Sequence, residues 1–172
     1  MAKVRKGFTL VELLIVIVII GILAAAMLLS SGSATAAAEA SNIISEMRNM
    51  KAAAMMFYAD SMDAFLGGNT AGYTAITASG ADLLARYMDN SDKMTGNAAY
   101  LFAASQTAPV QGKWFVGFNL SSTGLNTTVE VREKLAGKTN TTGLIGTAAG
   151  TKPNTLTPDY TKGNTAIWMV AR

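Results

Sequence analysis

Among the chain's 172 residues, one side chain stands where its type is least expected. Glu12 lies four residues after Phe8, inside residues 8–29 (FTLVELLIVIVIIGILAAAMLL), a run that holds no other charge. A carboxylate in such surroundings is expensive and invites a functional reading. Conventional catalytic chemistry has little to work with. There is no histidine and no cysteine, so the commonest general base, the commonest zinc ligand, the thiolate nucleophile and the disulfide are all missing. The closest groupings of aspartates are Asp60 with Asp63 and Asp89 with Asp92, and the alternating Asp/Asn pattern of an EF-hand loop is absent. Glycines near Gly143 and Gly146 lack the lysine of a phosphate loop and read as turns. Asn119-Leu120-Ser121, Asn126-Thr127-Thr128 and Asn140-Thr141-Thr142 fit the glycosylation acceptor pattern, which Thr-rich loops produce readily by chance. No nucleophile with a neighbouring base is visible, so the expectation is a protein that is not an enzyme.

The segment around Glu12 has a clear organisation. Residues 1–7 (MAKVRKG) carry three of the chain's 14 basic side chains; the 11 that remain match the 11 acidic ones. The sequence pI of about 9.2 therefore belongs to the head and does not indicate a nucleic-acid partner. As a helix, residues 8–29 would span about 33 Å, enough to cross a hydrocarbon layer of about 30 Å. Basic residues on the N-terminal side alone place the head in the cytoplasm and the bulk of the chain outside. A plain single-pass anchor fits these facts. So does an ordinary secretory signal, with small-residue sites at Ala24-Ala25-Ala26 or within residues 34–38, although its apolar core is normally about 7 to 15 residues. Neither accounts for Glu12 or for the Gly7–Phe8 junction.

Gly7-Phe8-Thr9-Leu10-Val11-Glu12, with Leu13-Leu14-Ile15-Val16-Ile17 and Gly21-Ile22-Leu23-Ala24-Ala25 behind it, resembles the class III signal of type IV pilins and type II secretion pseudopilins. The resemblance covers about the first 25 residues. It implies that a prepilin peptidase cuts after Gly7 and methylates the new terminal residue, Phe8. It also implies that Glu12 of an incoming subunit meets the N-terminal amine of its neighbour. The physics agrees with that implication. Before cleavage the Phe8 nitrogen is a neutral amide, and only afterwards is it a cation able to offset the desolvation of Glu12. The sequence leaves open whether the partner is another subunit's amine or the chain's own, one turn away. The cut also removes the three charges that oppose extraction from the membrane.

The chain departs from the family in two places. A proline often found about eight residues after the glycine that here is Gly21 is replaced by Leu28-Leu29-Ser30, so Gly21 and Gly32 are left as the points of helix flexibility. No C-terminal disulfide is available, which favours a pseudopilin or a pilin of another lineage. Major pseudopilins usually hold calcium near their C-terminal loops, and Asp159 is the weak candidate for such a ligand; otherwise no cofactor is expected.

These residues need elements to hold them. Ala36, Ala40, Ile43, Met47, Met50, Ala54 and Phe57 recur at helical spacing, opposite Glu39, Asn42, Glu46 and Asn49, and the first proline is Pro109. This predicts one helix over about residues 8–60, apolar all round to residue 29 and amphipathic beyond, with its methionines as core filler. Residues 66–112 read as a long connection after Gly67-Gly68-Asn69, decorated by a short helix at 81–88. Residues 114–120 (WFVGFNL) are the best strand, and 143–147 and 165–172 are further strands. Residues 129–138 predict a helix capped by Asn126 or Thr127 and ended by Gly137.

The expected fold is α+β and pilin-like, with a long N-terminal stem helix packed by a small antiparallel sheet. The expected divisions are a cleaved leader (1–7), a membrane or filament-core helix (8–29), its amphipathic continuation (30–60) and a globular domain (61–172). The resemblance implies a helical homopolymer, either a type IV pilus or a type II secretion pseudopilus. Assembly would require a prepilin peptidase, a membrane platform protein and an assembly ATPase. The precursor would sit in the inner membrane, and the polymer in the periplasm or on the cell surface. The rival is an exported soluble binding domain with an ordinary signal peptide.

Overall fold

The computed structural model describes residues 7–61, 74–76, 84–89, 99–104, 109–110, 112–121, 127–148, 153, 155–156 and 159–172. The chain divides into two compact units, Met1–Thr35 and Ala36–Arg172. Helix α1, Leu10–Ser61, contributes to both.

In the first unit α1 is bare. From Phe8 to Leu28 every large apolar side chain is at least 50% exposed. Leaving such side chains in water forfeits about 2 kcal/mol each, so this surface requires lipid or other protein. Among the described residues α1 is the one helix long and apolar enough to cross a membrane.

In the second unit the expected stripe of α1 is the buried one. Ala36, Ala40, Ile43, Met47, Met50 and Ala54 are all buried, joined by Ile44 and Ala53, and Phe57 packs against the same core. Met47 and Met50 fill that core, whereas Met55 and Met56 are exposed. The methionines therefore divide between core and surface, because only one face of the helix meets the sheet.

The sheet has five strands: β1 Thr74–Ile76, β2 Tyr100–Ala104, β3 Trp114–Asn119, β4 Ile145–Thr147 and β5 Ala166–Val170. Their order is β1-β2-β3-β5-β4, antiparallel throughout. Side chains alternate across it as the pleat requires. Tyr100, Phe102, Trp114, Val116, Phe118, Ile167 and Met169 join the helix-facing core. Ala103, Phe115, Ile145 and Trp168 form a second apolar cluster on the opposite face. Phe57, Tyr58, Phe102 and Trp114 interlock, with ring centroids 5.3–6.3 Å apart. Such aromatic pairs add about 0.5–1.5 kcal/mol each beyond the area they bury. The Arg172 guanidinium lies 3.6 Å from the centre of the Tyr58 ring, which ties the end of β5 to the last turns of α1.

This is the expected α+β class, with several corrections. Residues 66–112 contain β1 and β2 and are not simply a connection. YLFAA lacks a β-branched residue, and its strand state comes from pairing with β3. Of the helix expected at 81–88, residues 81–83 lie outside the described set. Leu84 and Ala85 begin a single tight turn, in which Tyr87 N–H donates to Leu84 O at 2.9 Å and Met88 N–H to Ala85 O at 3.1 Å. Gly67-Gly68-Asn69, Asp63, Asp92 and Asn126 also lie outside the described residues.

Helix α2, Val129–Gly137, is capped by Thr128, whose hydroxyl accepts from Val131 N–H at 3.4 Å. Thr127, one of the two caps expected, is buried instead, and its hydroxyl donates to Leu120 O at 2.9 Å. Gly137 is the last residue of α2, as expected, and Lys138 leads directly into a further short helix, α3, Thr139–Thr142. The stop is Gly143, at φ 63°, a left-handed conformation that glycine adopts without strain.

Two tyrosines of this unit hold their protons above the usual phenol range. Burial raises Tyr100 to about 12, helped by the Glu46 carboxylate that its hydroxyl meets at 3.4 Å. Burial also raises Tyr160 to about 12, opposed by Arg132. An acid whose pKa is raised by folding binds its proton more tightly in the folded state. Its contribution to stability is full below about 10 and is lost as pH rises through 10 to 12. The Tyr160 hydroxyl is buried without a hydrogen-bond partner among the described residues. Tyr160→Phe is therefore expected to raise stability by about 1 kcal/mol at neutral pH and to soften the loss above pH 10. Denaturant titrations at pH 7 and pH 11 check both effects.

Candidate functional site

The N-terminal turn of α1 is the candidate site. Thr9 and Glu12 bracket it in a reciprocal arrangement. Thr9 N–H and Thr9 Oγ1–H both donate to Glu12 Oε2 at 2.8 Å, and Glu12 N–H donates back to Thr9 Oγ1 at 3.3 Å. This is a capping box, the hydroxyl residue at the cap and the glutamate three residues on, and it satisfies backbone donors that a helix start leaves unpaired. The negative side chain also lies in the first turn, where the helix dipole favours it.

Thr9 is the residue that sequence reasoning missed. The Thr-x-x-Glu spacing ahead of an apolar run was there to be read. The consequence for Glu12 is direct. Its carboxylate is not bare before cleavage, since two neutral donors from its own chain hold Oε2. Oε1 accepts no hydrogen bond among the described residues and stays open to a further donor. Cleavage after Gly7 would leave the Phe8–Thr9 bond intact, and with it both donors.

The other expected site residues are dispersed. Gly7 and Phe8 precede the helix, exposed, with Phe8 91% accessible. Gly21 and Gly32 both lie within α1, and a Cβ at either would meet open space. Asp159 is exposed and its backbone bridges to Ile145. Among the described residues no three His, Cys, Asp or Glu side chains converge as a metal site.

Residues 2–28 match the prokaryotic N-terminal methylation motif. The matched segment is similar to the class III prepilin signal of type IV pilins and pseudopilins, and the match takes in Gly7, Phe8, Thr9 and Glu12. No curated protein and no solved structure matches the chain. The motif therefore characterises the N-terminal segment, and residues 29–172 stand on their own geometry.

Within the motif, Thr9 is open to a clean test. Thr9→Val removes the hydroxyl, which is both donor and acceptor, but keeps the backbone N–H and the charge of Glu12. Helix initiation is expected to weaken by about 1 kcal/mol, with cleavage and methylation retained. Amide exchange over residues 10–13 of the detergent-solubilised chain would report the loss.

Proposed function

We propose that the chain is a structural subunit of an extracytoplasmic helical filament, a type IV pilus or a type II secretion pseudopilus. It is processed after Gly7 and methylated at Phe8. The observation that carries this reading is the methylation motif at residues 2–28, laid over a stretch of α1 whose large apolar side chains are at least half exposed among the described residues. Packed side by side with copies of itself, that helix would exchange lipid for protein along its whole circumference. The cleaved Phe8 amine of one subunit would then supply the donor that Oε1 of Glu12 lacks. The second unit, with its own core, would tile the outside.

In this reading Gly7 and Phe8 are the processing site, Phe8 and Glu12 the assembly contact, and Gly21 and Gly32 the weak points of the helix. A prepilin peptidase, a platform protein and an assembly ATPase are the machinery required. The precursor resides in the inner membrane. Electron microscopy of material sheared from expressing cells tests the proposal. Thin filaments that contain this chain support it; the chain recovered only as a soluble monomer lacking residues 8–29 refutes it.

A further inference from the structure

Helix α1 carries two pairs of methionines less than two turns apart, with opposite exposure. Met47 and Met50 are completely buried against the sheet, and Met55 and Met56 are 55% and 54% exposed. Met56 also lines an open cleft of about 250 Å³ with Tyr87 and Met88, so its side chain is reachable from solvent. The structure assigns Met55 and Met56 as an oxidation site of the folded domain, a pair that reacts with peroxide before the core does. In the reaction a thioether sulfur attacks one oxygen of hydrogen peroxide. The O–O bond breaks, an S–O bond forms, the sulfur loses two electrons, and the second oxygen leaves as water once protonated. The product is a sulfoxide, polar where the side chain was apolar, and reductases of methionine sulfoxide reverse it.

Location decides the consequence. A sulfoxide at residue 47 or 50 would place a polar oxygen in a close-packed core, which is disruptive. At residues 55 and 56 the new oxygen is solvated and the sheet contacts of α1 are untouched. The exposed pair therefore takes up oxidant without loss of the fold, and the same helix supplies its own control in the buried pair. This inference does not depend on filament assembly.

The test is a hydrogen peroxide titration of the full chain in detergent, followed by peptide mass mapping and thermal unfolding. Residues 55 and 56 are expected to oxidise about tenfold or more faster than residues 47 and 50, with a Tm that does not change as residues 55 and 56 take up oxygen. In the Met55→Leu, Met56→Leu double variant, oxygen uptake over residues 47–56 should disappear at the same peroxide dose. Equal rates for the two pairs, or a Tm that falls as residues 55 and 56 oxidise, would overturn the assignment.

Discussion

Glu12→Gln is expected to be cleaved after Gly7 and methylated at Phe8, yet to form no filaments. Glutamine serves in a capping box much as glutamate does, so the start of α1 should survive. Only the charge is lost. In the proposed filament the cationic Phe8 amine of a neighbour would then lie in an apolar layer with no anion opposite it. Leaving one member of a buried pair unpaired typically costs about 3–5 kcal/mol, repeated at every subunit. Loss of the cap alone is smaller, about 1 kcal/mol, and is what Thr9→Val measures. The two variants separate the roles of this turn. If Glu12 served only the cap, Thr9→Val would impair assembly as much as Glu12→Gln or more. If it serves the charge, Glu12→Gln abolishes filaments while Thr9→Val thins them. Filament yield by electron microscopy, with mass spectrometry of the processed terminus, distinguishes these outcomes.

Gly117→Ala is expected to destabilise the second unit by about 3 kcal/mol, at the upper end for overpacking. Replacing a strand glycine with alanine usually helps, but here the space for a methyl group is already taken. Gly117 sits at the middle of β3, opposite Leu101 on one side and Trp168 on the other. A Cβ there would run into the backbone oxygen of Ile167 and stand 2.8 Å from the Trp168 ring. The ring cannot easily move away, because its Nε1–H donates to Thr147 Oγ1 at 2.8 Å and it packs in the outer cluster. Gly137 provides the contrast. It is helical, and a Cβ there would meet open space, so Gly137→Ala should stabilise by about 0.5–1 kcal/mol. Opposite signs for the same substitution, read by denaturant titration, would establish that close approach and not composition governs these glycines.

What the residues disclosed in advance follows the strength of their local signals. The stem helix was legible because seven residues from Ala36 to Phe57 repeat at one spacing and no proline interrupts them. β3 was legible because Trp114, Phe115, Val116 and Phe118 crowd six positions. β2 was hidden, since two alanines and a leucine carry little strand preference, and its state is imposed by the neighbour it pairs with. The α2 cap was misplaced by a single residue: Thr127 and Thr128 are chemically alike, and only the acceptor at Leu120 decides which one turns inward. At the site, the charge of Glu12 drew attention to membrane energetics and away from Thr9, whose partnership with it is a matter of local spacing.

The most direct measurement is the mass and sequence of the first peptide of the mature chain, isolated from cells that carry a prepilin peptidase. That peptide is expected to begin with N-methylphenylalanine at residue 8. A chain that starts at residue 30 or beyond, or that keeps residues 1–7 in assembled filaments, would contradict it.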